Sequence, residues 1–136
     1  MKALYAIAIT LALMSFQSAF AEVGDISVSG VGFRDIGGCK NGGVVCGSQY
    51  MLTANVTNNS TQSLSYVAFL DLRDSEGVTQ YLEFHKGRLD LEASSDIASS
   101  WTPDRPGEYE LRVFVISDFE NPKILSQIGI NTTTIS

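Results

Sequence analysis

The sequence predicts an all-β fold: a sandwich of two antiparallel sheets with seven or eight short strands. Two observations predict it. Apolar and polar residues alternate with period two along most of the chain, and a helical period appears almost nowhere. Gly, Pro, Asn and Asp separate the alternating runs at intervals of about ten to twelve residues, a spacing typical of sandwiches.

The predicted strands follow from this alternation. In the second strand Tyr50 and Leu52 face one way while Met51 and Thr53 face the other. The run 74–77 (DSEG) has the residues of a hairpin turn, with Asp first and Gly where a positive φ is needed. In order, the strands are Asp25 to Phe33, Tyr50 to Thr57, Leu64 to Leu72, Val78 to Phe84, a short segment with Leu89 and Leu91, Ile97 to Trp101, Tyr109 to Val115, and Ile124 to Ile135.

Residues 1–21 have the features of a cleaved signal peptide. Lys2 precedes an apolar run over residues 3–16, and AFA at 19–21 is the small-x-small pattern that signal peptidase recognises. The run has about 14 residues, fewer than the roughly 20 that span a bilayer. We therefore expect cleavage, a secreted or cell-surface protein, one domain over residues 22–136, and no membrane span after cleavage.

Charge and ligand content exclude several classes of function. The chain has 15 acidic and 9 basic residues, a formal net charge of −6, without a basic cluster. Such a surface repels nucleic acid and anionic lipid. His85 is the single histidine, so a Ser-His-Asp site or a metal site with nitrogen ligands has little material. We expect no catalytic residues, no metal and no cofactor.

The two cysteines, Cys39 and Cys46, are predicted to form a structural disulfide. They stand close together in CKNGGVVC, and an even pair in a secreted chain is typical of a disulfide. The alternatives are a redox pair and half of a metal site. A redox pair usually has two residues between the sulfurs, and a zinc site needs more ligands than this chain offers. The short loop limits the stabilisation to about 2 kcal/mol.

The stretch SWTPDRPGEYELRVFVIS at 100–117 is predicted to be an architectural corner. Trp101 ends one strand, and Pro106 and Gly107 allow the chain to cross between the sheets. Tyr109 then stands near the start of the next strand, where a tyrosine corner bonds its hydroxyl to upstream backbone. A sugar-stacking role for Trp101 is the alternative.

Three stretches resemble immunoglobulin-like domains of secreted and cell-surface proteins: YMLTANVTNNS, VAFLDLRDSEGV and SWTPDRPGEYELRVFV. The resemblance is to the CARDB-like group and to such domains of archaeal surface proteins, to which DFENPKILS at 118–126 is also similar. It covers about residues 25–135. It implies an immunoglobulin-like β-sandwich and a role in adhesion, the envelope or a filament. The single domain and the Cys39–Cys46 loop depart from that pattern.

Four asparagines, Asn55, Asn58, Asn59 and Asn131, begin sequons for N-glycosylation. We place Asn55 and Asn131 on the outward phase of their strands, and Asn58 and Asn59 in a turn. Chance surface composition is the alternative explanation.

The scattered loop acids, such as Asp74 and Glu76 or Asp118 and Glu120, lack a repeated calcium-ligand spacing.

Two functions remain open. The first is a non-catalytic structural or adhesion protein, and one version is an extracellular filament subunit assembled by strand exchange. Glu22 to Gly38 is the candidate donor, although an ordinary first strand is favoured. The alternative is a soluble binding module for carbohydrate, peptide or protease that acts through the loops at 37–49 and 118–123. An aromatic patch with Tyr81, Phe84 or Phe119 would favour it. Expected partners are a protein or a second copy at a sheet edge, and carbohydrate.

Overall fold

A computed structural model describes residues 23–36 and 49–136, so the leader, Cys39 and Cys46 lie outside the described residues. Within these ranges the chain forms strands only, which confirms the all-β prediction. No helix there is long and apolar enough to cross a membrane. The seven strands are β1 Ile26–Asp35, β2 Tyr50–Asn58, β3 Leu64–Asp74, β4 Thr79–Leu89, β5 Ser94–Trp101, β6 Gly107–Ile116 and β7 Gly129–Ile135.

The strands form two antiparallel sheets. The three-stranded sheet has the order β1-β2-β5, and the four-stranded sheet has the order β4-β3-β6-β7. The chain therefore crosses between sheets three times, after β2, β4 and β5. Its outer strands are β1 and β5 in one sheet and β4 and β7 in the other.

Period-two alternation creates the core between the sheets. Every second residue of β2 is buried and the residues between are partly exposed, and β6 from Tyr109 onward repeats the pattern. In such strands one face packs against the opposite sheet while the other faces water. The largest fully buried apolar side chains come from both sheets: Tyr50, Ile26, Leu52, Leu70, Leu72, Leu111, Ile135, Val56, Val113 and Val115.

Several predicted boundaries are wrong. β4 continues beyond Phe84, and β5 begins at Ser94 instead of Ile97. Leu89 is the last residue of β4, while Leu91 lies in the following turn with 54% of its surface exposed. β7 begins at Gly129, and Ile124 makes only an isolated bridge to Ile116. Apolar alternation indicates which residues suit a strand, but backbone pairing decides where a strand ends, and pairing depends on distant neighbours.

Asn58 joins two of the three crossings between the sheets. It is the last residue of β2 and fully buried, which corrects its predicted place in a turn. Its Nδ2 donates to the carbonyl oxygens of Gln62 at 2.9 Å and of Leu89 and Asp90 at 3.1 Å. Its Oδ1 accepts from the backbone N–H of Ser60 at 2.9 Å. One side chain thus ties the end of β2 to the chain after β2 and to the chain after β4.

The third crossing, from β5 to β6, is held by Tyr109. The Tyr109 hydroxyl donates to the carbonyl oxygen of Arg105 at 2.8 Å, the arrangement of a tyrosine corner. The Trp101 ring lies edge-on to Tyr109, with centroids 4.8 Å apart, and also contacts the Tyr50 ring, with centroids 6.2 Å apart. Gly107 has φ +148°, a conformation that other residues rarely adopt.

Removing the Tyr109 hydroxyl tests the corner. We expect Tyr109→Phe to lower the free energy of unfolding by about 1 kcal/mol, since one net hydrogen bond is lost while the ring keeps its packing. Urea denaturation measures it. Tyr66→Phe is the control, because among the described residues the Tyr66 hydroxyl has no hydrogen-bond partner. Equal effects of the two changes would contradict the role given to Tyr109.

Removing the Asn58 amide tests the double crossing. We expect Asn58→Ala to lower the free energy of unfolding by about 2–3 kcal/mol, because the buried Leu89 carbonyl loses its donor together with the other bonds. Asn59→Ala, one residue away and exposed, should change it by less than about 0.5 kcal/mol. Thermal and urea unfolding measure both variants. Similar losses in the free energy of unfolding would contradict the role given to Asn58 in joining the two crossings.

Candidate binding face

The outer face of the four-stranded sheet carries an aromatic cluster, here called the aromatic patch: Phe69, Phe84, Phe114 and Phe119. Phe84 of β4 and Phe114 of β6 both stand opposite Phe69 of β3, so three rings form one row across three strands. Outward positions of a sheet that faces water are usually polar. Three phenylalanines in one row therefore need a reason.

The rings contact one another closely. Phe69 stacks on Phe114 with centroids 5.0 Å apart and an interplanar angle of 14°. Phe119, from the loop after β6, stands edge-on to Phe84 at 5.1 Å and to Phe69 at 5.9 Å. Both geometries are favourable for aromatic pairs. The loop thus places its aromatic residue over the row instead of pointing it into water.

The patch is only partly covered by its own chain. Phe84 remains 49% exposed and Phe119 47%, and beside them Leu82 of β4 is 59% exposed. The next outward positions along the sheet add Ile116 and, across an isolated bridge, Ile124. A contiguous apolar surface of this kind is characteristic of a binding site.

Cations and ion pairs border the patch. Lys86 Nζ lies 4.6 Å from the centroid of the Phe119 ring, a cation–π contact. On the other side, Asp71 accepts a hydrogen bond from Arg73 Nε at 2.8 Å, and Arg112 Nε lies 3.1 Å from Glu110 Oε1. An apolar centre with a charged rim matches the anatomy of protein interfaces.

A polar cluster lies at the seam where β4 of one sheet meets β5 of the other. His85 Nε2 is 3.0 Å from Ser99 Oγ and 4.0 Å from Glu83 Oε1, and the Tyr81 hydroxyl donates to Glu83. Tyr81 is therefore on the inward phase of β4, away from Phe84 and Phe119, with which the sequence grouped it. The cluster therefore connects the two sheets at the side of the sandwich where their edge strands β4 and β5 are adjacent.

The seam cluster lacks the geometry of a catalytic triad, although it contains a serine, a histidine and a carboxylate. In a triad the hydroxyl and the carboxylate bind different ring nitrogens. Here Ser99 and Glu83 both approach Nε2 of His85, and Ser99 is 7% exposed. Sequence reasoning missed this grouping, because nothing in the chain signals that Ser99 of β5 lies beside β4.

The loop acids are occupied with local hydrogen bonds. Asp74 Oδ1 accepts from the backbone N–H groups of Glu76 and Val78 and so holds the β3–β4 hairpin. Asp118 Oδ1 accepts from the N–H of Asn121 at 2.7 Å. Within residues 23–36 and 49–136, no three His, Cys, Asp or Glu side chains are grouped so as to hold a metal ion.

The four sequons occupy different surroundings. Asn55 donates to Asp96 Oδ1 at 2.8 Å on the outward face of β2. Asn131 is exposed, but it stands opposite the buried Leu111 and so lies on the inward phase of β7 instead of the predicted outward phase. Its amide donates to the Val31 carbonyl at 2.7 Å. Asn58 is buried, whereas Asn59 is exposed. Occupancy of any of them stays a prediction.

Solved structures with the same architecture come from several kinds of protein. The C-terminal domain of Wzt matches with a TM-score of 0.70 at 10% identity, covering 83% of this chain and 74% of that chain. The CARDB domain of the PF1109 protein from Pyrococcus furiosus, in complex with di-metal ions, matches at 0.60 and 13% identity, covering 90% and 97%. The fold is a CARDB-like, immunoglobulin-like β-sandwich.

A β-glucuronidase from Bacteroides uniformis also matches this immunoglobulin-like sandwich, at a TM-score of 0.64 and 10% identity. The match covers 83% of this chain but only 15% of the enzyme, so it concerns one module of a much larger protein. No protein-family model and no curated protein sequence matches the chain. At these identities the likeness is one of fold.

The seam cluster predicts how stability depends on pH. The hydrogen bond from Tyr81, followed by one from Ser99, lowers the pKa of Glu83. A carboxylate with a lowered folded pKa stabilises the fold above its unfolded pKa of about 4.3, and the stabilisation is lost as pH falls through the folded value.

We therefore expect Glu83→Gln to flatten the decline in unfolding midpoint between about pH 5 and 3. Glu120→Gln, which is exposed in the loop after β6, should leave the decline as in the unmodified chain. Thermal unfolding monitored by circular dichroism across this range measures both. If the unfolding midpoint of Glu83→Gln declined with falling pH as steeply as that of the unmodified chain, the seam carboxylate would have no role in acid stability.

Proposed function

We propose that this chain is a non-catalytic, secreted binding and structural module that is held at the cell surface by a protein partner covering the aromatic patch. One observation carries the proposal. Phe84 and Phe119 leave about half of their surface in water, 49% and 47%, although both rings already pack within a cluster. Burying such exposed aromatic surface against a partner is favourable.

The surroundings of the patch favour a protein partner. The apolar centre lies between ion pairs on one side and Lys86 on the other, as in protein interfaces. A net charge of −6 over the chain disfavours nucleic acid. The predicted leader at 1–21 supports secretion. The predicted Cys39–Cys46 disulfide is compatible with it, because disulfides persist in oxidising compartments.

Strand exchange through the N-terminal segment receives less support than docking on the patch. β1, which lies within the candidate donor Glu22 to Gly38, pairs with β2 of its own chain. Ile26 is fully buried and Val28 packs against the core. Donation of β1 to a neighbour would first remove these side chains from the core, whereas docking on the patch leaves the fold intact.

Carbohydrate is a second candidate partner. The half-exposed rings of Phe84 and Phe119 offer apolar faces, and Lys86 beside them would favour acidic sugars. Phe119 belongs to the 118–123 loop, one of the two loops from which the sequence predicts binding. Binding of purified polysaccharides by the chain, lost when Phe119 is replaced, would favour this candidate over a protein.

Retention at the cell surface tests the proposed function. The chain is expressed in its source cells with its own leader, and its amounts in medium and washed envelope are compared. We expect the envelope to retain the unmodified chain. The double change Phe84→Ser with Phe119→Ser should lower the envelope-to-medium ratio roughly tenfold or more, because buried aromatic residues are typical hot spots of interfaces.

Leu91→Ser is the matched control, because Leu91 is 54% exposed but lies in the β4–β5 turn outside the patch; its ratio should equal that of the unmodified chain. Circular dichroism verifies that each variant is folded. If the envelope retained the double variant as well as the unmodified chain, the aromatic patch would not be the binding surface. If the chain stayed in the cytoplasm, the predicted secretion would be wrong.

A further inference from the structure

The outer edge of β4 differs from the other strand edges of the sandwich. β4 has 11 residues, against 7 in β7 and 8 in β5, and an unprotected edge invites pairing with another strand. β1 is interrupted by a register shift between Ser29 and Gly32. Its edge also receives bonds from its own chain, since Ile26 N–H donates to Leu125 and Asn131 donates to Val31.

β4 also carries the exposed apolar residues that a strand interface uses. Leu82 and Phe84 stand at successive outward positions and are 59% and 49% exposed. β5, the strand beside it in the other sheet, exposes only small or acidic side chains: Ser94, Asp96, Ala98 and Ser100. A neighbouring molecule can therefore approach along this side without meeting a bulky residue.

The sequence of β4 is complementary to itself when it is reversed about Phe84. In an antiparallel pair centred there, Glu83 stands opposite the partner's His85, and Leu82 stands opposite the aliphatic stem of the partner's Lys86. The two-fold axis makes each contact occur twice. A carboxylate accepts a hydrogen bond from an imidazole N–H that stands directly opposite, and such polar cross-strand pairs stabilise a strand pair.

Neighbouring registers lack this complementarity. Because opposite residues must share a face of the sheet, the register can shift only in steps that keep the faces matched. One step one way sets Glu83 against its own copy. One step the other way sets His85 against its own copy and leaves Glu83 opposite Gly87, without a polar partner. A further step brings Lys86 against itself. Like charges directly opposite are destabilising.

We propose that two copies of this chain pair antiparallel through β4 about a two-fold axis at Phe84, so that two four-stranded sheets become one sheet of eight strands. This rests on the proposed function, and it names a second copy as a partner. The two aromatic patches then join across the axis, because Phe84 of each copy lies at the centre. The continuous surface is twice as large as that of one molecule.

A charge placed at Leu82 tests the pairing and its register together. Leu82 is largely exposed, so neither charge disturbs the core. Leu82→Glu sets a carboxylate opposite the partner's Lys86 and should lower the dimer dissociation constant roughly tenfold through two equal contacts. Leu82→Lys sets ammonium groups opposite each other and should raise it by a similar factor.

Leu82→Lys combined with Lys86→Glu reverses the pair and should restore the dissociation constant. Sedimentation equilibrium of the purified chain across a concentration series, at fixed salt, measures all four proteins. Leu91→Glu adds the same charge outside β4 and should leave the constant unchanged. The supporting result is opposite shifts for the two single variants with recovery in the double variant.

Two outcomes would overturn the pairing. A chain that is monomeric throughout the series excludes it, and association that ignores the charge at residue 82 excludes this strand and register. Neither outcome touches the proposed function, since loss of envelope retention in the Phe84 and Phe119 double variant is measured independently. If the retention test failed while the dimer dissociation constant depended on the charge at residue 82, the proposed function would be refuted and the pairing would still be supported.

Discussion

The hydrogen bonds of the buried Asn58 side chain hold the end of the sandwich where the chain crosses twice between its sheets. Nδ2 donates to carbonyl groups that follow β2 and that end β4, so one amide fixes both the departure toward β3 and the departure toward β5. A buried amide that lost these partners would leave several groups without hydrogen bonds, which is costly in a low-dielectric interior. The arrangement holds the end of β4, at Leu89, beside the end of β2.

The two outer faces of the sandwich then differ in how they meet water. On the three-stranded sheet, polar side chains bond to one another, as Asn55 does to Asp96 and Thr57 does to Ser94. On the four-stranded sheet, the pairing of β3 with β4 and β6 aligns Phe69 with Phe84 and Phe114. The first face is satisfied by itself, whereas the second retains apolar surface that a partner can cover. This asymmetry is the physical basis for placing function on the four-stranded sheet.

The seam between β4 and β5 connects stability with that function. Glu83 and His85 occupy the inward phase of an edge strand, and inward-pointing charged residues are one device by which proteins limit edge pairing. Here the carboxylate and the imidazole lie close to Tyr81 and Ser99, which supply hydrogen-bond partners. In the proposed pair of β4 strands, Glu83 of one copy also stands opposite His85 of the other. A device that discourages random partners thus leaves one specific register favourable.

The sequence by itself determined the all-β class and nearly every strand, because period-two alternation reports directly which side of a strand is buried. It also determined the corner residues, since Pro106, Gly107 and Tyr109 restrict the backbone locally. The tertiary structure alone decided the strand order, the end of β4 at Leu89, the buried place of Asn58 and the meeting of Phe69 with Phe84 and Phe114. It also decided that His85 lies beside Ser99. These depend on pairing between segments far apart in the chain, and a local pattern carries no information about which distant strand will be the neighbour.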